Sequence, residues 1–194
     1  MSENARPPPL KVDARTRRTR EALGDALMAL IVEKPFDSIT VQDVLDRAGV
    51  GRSTFYAHYS DKDDLFFSDV EEFWEMMAGA LSRNGDRSER VAPVSELFAH
   101  VGEMHTVYRA MVDAGRIHEV LELGHGHFAR AFERRFEEIP RASGIPAPTR
   151  AALANAQAGA LFSLLTWWIT RGMPGTPAEM DALFHRMFWS GVGR

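Results

Sequence analysis

Between Thr40 and Lys62 the chain is punctuated so closely that little freedom is left to it: Thr-Val-Gln-Asp-Val-Leu-Asp-Arg-Ala-Gly-Val-Gly-Arg-Ser-Thr-Phe-Tyr-Ala-His-Tyr-Ser-Asp-Lys. Thr40 is placed to cap a helix, because its hydroxyl can accept from a free amide of the first turn, and Asp43 completes a capping box. Ile39 and Val44 stand where a hydrophobic staple forms. Val41, Val44, Leu45 and Ala48 then recur at helical spacing and make one buried stripe. Gly49 follows at the position where a left-handed residue ends a helix. Val50 turns the corner, and Arg52 to His58 form a second short helix with Phe55 as its inward anchor. Two short helices joined by a tight glycine turn make a helix-turn-helix.

The second of these helices has little core to build and carries a crowded polar surface. Arg52, Ser53, Thr54, Tyr56, His58 and Tyr59 put donors and aromatic hydroxyls into two turns. Arginine can take guanine O6 and N7 bidentately, serine and threonine accept varied partners, and tyrosine and histidine suit phosphate oxygens. Arg52 and Gln42 are the base-reading candidates. Thr40, Ser53, Thr54, Tyr56, His58, Tyr59 and Lys62 are expected to hold the nucleic-acid backbone, with Tyr56 also placed to touch a base. Lys62 falls in the first turn of a helix expected to be capped by Ser60 with Asp63, where a cation opposes the helix dipole. A phosphate outside the helix N-terminus would justify it; the alternative is a solvated surface lysine.

Thr40 through Leu65, with its Ala-Gly-Val-Gly-Arg-Ser-Thr-Phe-Tyr-Ala-His-Tyr-Ser-Asp-Lys-Asp-Asp-Leu core, resembles the DNA-binding segment of the TetR (tetracycline-repressor) family of bacterial regulators. The motif is long and ordered, and it covers about the first third of the chain; the remainder resembles the family in helical pattern and length. The resemblance implies a homodimer, an N-terminal three-helix DNA-binding domain and a C-terminal helical domain that binds a small inducer. One position departs from the pattern: the family usually has a serine capping the recognition helix where this chain has Gly51, a weaker cap.

Charge alone says nothing for nucleic acid. The net charge is −4, and the first 65 residues hold ten Lys and Arg against eleven Asp and Glu. What counts is placement: Lys11, Arg15, Arg17, Arg18 and Arg20 crowd ten positions, opposed only by Asp13. Such a basic arm can track a phosphate backbone or lie in a minor groove; the alternative is a solvated tail after Pro7-Pro8-Pro9. The chain has no cysteine, so disulfides and thiol chemistry are excluded, which fits a reducing cytoplasm. Its most apolar stretch, Leu161 to Ile169, is too short to span a bilayer, and no membrane partner is expected.

The remaining pattern is all-α, with about nine helices in total and no period-2 alternation. A flexible arm over 1–13, a helix-turn-helix domain over 14–60 and a helical ligand-binding and dimerisation domain over 61–194 are expected. The first helix should run from about Thr16 to Glu33, and the helix from Asp61 to about Leu81 is apolar on more than one face. From Thr149 to Arg171 a helix begins with small residues and becomes apolar almost all round; a last helix follows the capping box of Thr176, Pro177 and Glu179. Hiding both outer faces calls for a second copy, with Leu161, Leu164, Leu165, Trp168, Leu183 and Met187 at an isologous interface.

Trp74, Phe98, Met104, Tyr108, Phe128, Phe162 and Trp167 could line an apolar inducer cavity, or be plain core. His118, Glu122, His125 and His127 are spaced as metal candidates, but nothing like a tight ligand pair supports them, and neither a metal nor a cofactor is expected. No nucleophile stands in a recognisable turn. The expected function is a sequence-specific DNA-binding repressor acting on a palindromic operator and released by a small apolar inducer. The alternatives are a ligand-independent regulator under a protein partner and an all-α enzyme.

Overall fold

The computed structural model describes residues 11–83, 85, 88–142 and 144–192. Ten α-helices follow in order: α1 (Lys11–Glu33), α2 (Val41–Ala48), α3 (Arg52–Tyr56), α4 (Lys62–Ala78), α5 (Ala80–Arg83), α6 (Val94–Glu103), α7 (His105–Asp113), α8 (Ile117–Glu138), α9 (Ala147–Thr170) and α10 (Pro177–Val192). Short 3-10 turns lie at Phe36–Ser38 and Pro140–Ala142, and the described residues contain no strand. The helix beyond the expected nine is α5, a single turn cut from the end of α4. The chain divides into two units, Met1–Phe66 and Phe67–Arg194.

In the first unit, α1 starts five residues earlier than its apolar stripe suggests, so Arg15, Arg17, Arg18 and Arg20 ride on a helix. Of the expected arm, residues 1–10 lie outside the described residues. Leu23, Leu27, Leu30 and Ile31 of α1 are buried together with Phe36, Ile39, Val44, Leu45, Phe55 and Leu65. The cap that opens α2 forms as its residues require: Asp43 N–H donates to the Thr40 hydroxyl at 3.2 Å, and Thr40 N–H donates to the Asp43 carboxylate at 2.7 Å. Gly49 closes α2 at φ 65°, a conformation that side chains bearing a Cβ resist.

The start of α4 differs by one residue from the expected cap. Asp61, not Ser60, accepts from the amide three residues on, Asp64 N–H, at 2.8 Å. Asp64 also accepts from Ser60 N–H, one residue before the cap, at 2.8 Å. Asp61, Asp63 and Asp64 crowd four positions and offer several caps, and the helix takes Asp61.

The second unit is built on α8 and α9, which pack along one another, with α10 against α6. Trp74, fully buried, sits at its centre: its indole N–H donates to the Val120 carbonyl at 2.9 Å. Its ring meets Phe128 and Phe162 edge-on at 6.2 and 5.3 Å. Gly124 of α8 makes this approach possible, since a Cβ there would stand 2.5 Å from the Phe162 ring and 2.8 Å from Trp74. Arg135, buried on the same helix, donates to the carbonyls of Arg90 and Ser88, each at 2.9 Å, and so fastens the segment leading into α6.

The expected interface set divides between two sides of its helices. Leu161, Leu165 and Trp168 point into the second unit's own core, Trp168 donating to the Pro174 carbonyl at 3.0 Å and packing 5.0 Å from Phe98. Leu164 and Leu183 are half-buried and Met187 is 51% exposed. Trp167, expected to line a cavity, is 46% exposed on the outer side. The reason is that a helix apolar on every side gives no signal of which side faces in.

Candidate nucleic-acid interface

Helix α3 buries one side chain, Phe55, whose ring contacts Tyr56 edge-on at 5.3 Å and Tyr59 at 5.8 Å. Burial of that phenyl group contributes about 2 kcal/mol and is what holds so short a helix in place. Everything else on it faces outward: Arg52, Ser53, Thr54 and Tyr56 are exposed, as is His58 beyond its end. Tyr56, a large ring left 52% exposed, is among the most exposed big side chains of the chain. Gly51 provides no side-chain cap, so the first amides of α3 are free of side-chain partners.

The two base-reading candidates meet. Arg52 Nη2 donates to Gln42 Oε1 at 2.8 Å, joining α3 to the exposed side of α2. Gln42 Nε2 in turn donates to Asp46 Oδ1 at 2.7 Å, one helical turn along. Asp46 was missed in the sequence, although its i, i+4 spacing from Gln42 is the usual signature of such a pair.

Three of the expected backbone-holding residues are engaged within the protein. Tyr59 is only 4% exposed, and its hydroxyl accepts from Arg20 Nε at 2.9 Å; it is part of the core that carries α3. The polar hydroxyl hid this in the sequence, where Tyr59 looked like one more surface donor. Lys62 Nζ donates to the Phe36 carbonyl at 2.6 Å and lies 4.5 Å from the centre of the Phe36 ring. A lysine in the first turn of α4 is thus explained by the 3-10 turn it fastens, without any external phosphate. Thr40 also gives its hydroxyl proton to Asp43 at 2.7 Å, so a third bond joins the two residues of the cap. Asp43 is held well below the usual carboxylate range, chiefly by Lys34 at 2.8 Å and then by Thr40.

Elsewhere the polar candidates disperse. Among the described residues no group of three or more His, Asp or Glu side chains is arranged to hold a metal. His127 instead pairs with Glu71 at 3.8 Å, and His125 stands 6.4 Å from the Phe162 ring. Of the cavity candidates, Trp74, Phe98, Phe128 and Phe162 are core, while Met104 is half-buried. Tyr108 is buried, which pushes its hydroxyl above the ordinary phenol value. Beside it His100 stacks on Phe73 at 4.2 Å, and burial lowers the basicity of that imidazole.

Two family models match: bacterial regulatory proteins of the tetR family over residues 23–68, and a transcriptional regulator C-terminal region over 93–189. The second spans half of the chain, and the first contains α2, α3 and their connecting turn.

The chain belongs to the TetR family.

Among curated relatives, an HTH-type transcriptional regulator of Bacillus subtilis, YxbF, is 39% identical over 56 residues, 28% of this chain and 15% of its own length. An HTH-type transcriptional repressor of Mycobacterium tuberculosis is 33% identical over 78 residues, 40% of this chain and 41% of its own. The chain thus spans less than half the length of these curated relatives. The fold is shared more widely than the sequence. A TetR-family regulator from Syntrophomonas wolfei superposes with a TM-score of 0.67 at 16% identity, covering 91% of this chain and 95% of that one. The dihydroxyacetone kinase operon activator DhaS gives 0.66 at 14%, covering 90% and 96%. No helix among the described residues is long and apolar enough to cross a membrane.

Proposed function

We propose that this TetR-family chain is a sequence-specific DNA-binding transcriptional regulator, with α3 as the helix that enters the major groove. The observation that carries the reading is the surface of α3: five residues with one buried anchor and a face of Arg52, Ser53, Thr54 and Tyr56, all exposed. A helix that buries so little has no structural need for those side chains, whereas arginine, serine, threonine and tyrosine are the types that contact base edges and phosphates. His58 extends the same face, and Gln42 joins it through Arg52. Tyr59, buried under α3, holds the helix rather than the duplex, while Thr40 and Lys62 keep their place as backbone-holding candidates, each already anchored within the protein.

The acting form is a homodimer through the outer faces of α9 and α10. Trp167, Leu164, Leu183 and Met187 supply the apolar contacts, replacing the inward-facing Leu161, Leu165 and Trp168. An isologous pair of this kind matches a palindromic operator whose half-sites lie about one duplex turn apart, or a multiple of it. The match to a mycobacterial repressor supports repression as its sense. Release by a small inducer is the family's usual control; the side chains to test for it are the half-buried His100 and Met104 and, beside His100, the buried Tyr108. The tight packing of Trp74 and Phe162 on Gly124, with Phe128 edge-on to Phe162, favours a second reading, a regulator controlled without a ligand.

Selection of bound duplexes from a random-sequence pool by the intact protein tests the function directly. Enrichment of a repeated half-site is expected, and recovery of an unenriched pool would overturn the reading. Operator affinity measured with and without compounds that raise the melting temperature separates the two modes of control: a drop in affinity supports an inducer, and an unchanged value supports the ligand-free reading.

A further inference from the structure

Three side chains on the exposed side of the helix-turn-helix form a chain of hydrogen bonds with a built-in direction. Asp46 can only accept and Arg52 can only donate, so the Gln42 amide between them has a single orientation that satisfies both. Its Oε1 faces Arg52 at 2.8 Å and its Nε2 faces Asp46 at 2.7 Å. Flipping that amide would set N–H against N–H at one end and oxygen against oxygen at the other. Each member nevertheless keeps capacity to spare. Gln42 retains one N–H and one carbonyl lone pair, the pair an adenine edge requires, and Arg52 retains a two-pronged fork for guanine.

Asp46 is otherwise poorly placed. It lies near the C-terminal end of α2, where the helix dipole disfavours an acid, and close to a surface read here as facing polyanionic DNA. Both considerations argue for a neutral or basic residue. What the carboxylate does at that position is hold Gln42.

We propose that Asp46 is a specificity-determining positioning residue: without touching DNA, it fixes the Gln42 amide and through it the Arg52 guanidinium, so that the two read neighbouring base pairs as one unit. This rests on the DNA-binding reading above and adds to it a residue whose charge would argue against any role there. A direct corollary is that base preferences at the Gln42 and Arg52 positions are coupled, so single substitutions at either residue disturb both base pairs.

The test uses the intact protein and the variants Asp46→Ala, Asp46→Asn, Gln42→Ala and Arg52→Ala. Each is put through the same duplex selection, and affinities are then measured for the winning duplex, its single-base-pair variants and an unrelated duplex. The wild type decides the underlying reading first: if it enriches nothing, DNA recognition fails, and Asp46 is not the cause. Given enrichment, Arg52→Ala should lose on the order of tenfold in preference at its base pair. Asp46→Ala should lose about threefold at the same base pair and its neighbour, while binding the unrelated duplex as tightly as the wild type or more so, having shed a negative charge. Asp46→Asn should keep the preference, because its side-chain carbonyl still accepts from Gln42. Wild-type preference in Asp46→Ala would overturn the proposal. So would loss of preference in both Asp46 variants, which would make the charge responsible, or an equal change on all duplexes.

Discussion

Helix α3 buries one of its five side chains, whereas α9 buries seven and leaves Trp167 exposed on its outer side, with Ser163 and Thr170 nearby. The first is held by what surrounds it: a capped α2, a left-handed Gly49, a single phenyl anchor and the Tyr59–Arg20 and Lys62–Phe36 bonds beneath. The second is held by its own burial, through contacts with Trp74, Phe98 and Phe128. A helix of the first kind has its surface free for recognition, because its stability lies elsewhere. A helix of the second kind is fixed by its inner side, and the exposed Trp167 on the other is where a second copy is proposed to pack.

The sharpest way to break that contrast is to charge the two sides of α9 in turn. Trp168→Glu should cost more than about 4 kcal/mol in urea unfolding, because a carboxylate would replace a buried indole. Trp167→Glu should leave the unfolding transition of the monomer nearly unchanged and instead halve the mass read by light scattering. If the two variants exchanged behaviour, the assigned phase of α9 would be wrong. Next in size is Gly124→Val, expected to cost about 3 kcal/mol through overpacking against Phe162 and Trp74. A variant as stable as the wild type would mean that α8 and α9 pack loosely enough to admit a ligand.

On the side of α3 the effects are smaller, since they pass through a cap. Thr40→Ala should cost about 1 kcal/mol in thermal unfolding, the usual value of an N-cap hydroxyl. The smallest is a pH effect. Asp43 has its folded-state pKa lowered, so the stability it contributes is present above about pH 4 and is lost as the pH falls through the folded value. Asp43→Asn should flatten that acid limb of the stability curve; an unchanged limb would show that the Lys34 and Thr40 contacts contribute nothing in solution.

The same contrast explains what was legible in the sequence. Around α3 structure follows from residues with few options: Thr40 with Asp43, Gly49 after the apolar stripe, Phe55 as sole anchor. Those stand in the structure as the spacing requires. Where several residues could do one job, spacing could not choose among them, and so the cap of α4 moved from Ser60 to Asp61. Tyr59 was misjudged for a related reason: a polar group says that it needs a partner, not whether that partner is outside. In α9 the failure was one of phase. Trp167 and Trp168 are chemically identical neighbours, and only packing against Phe98 and Pro174 decides that Trp168 is inside. Asp46 went unnoticed because its meaning depends on Arg52 reaching across from another helix.

The central claim is that the exposed face of α3 meets a DNA duplex, and a chemical-shift map of isotopically labelled protein titrated with its selected operator tests it most directly. The expected result is that the largest changes fall on Gln42, Arg52 to Tyr56 and His58, while the buried residues of α8 and α9 scarcely move. Changes confined to other surfaces, with the amides of Arg52 to Tyr56 unperturbed at saturation, would contradict it.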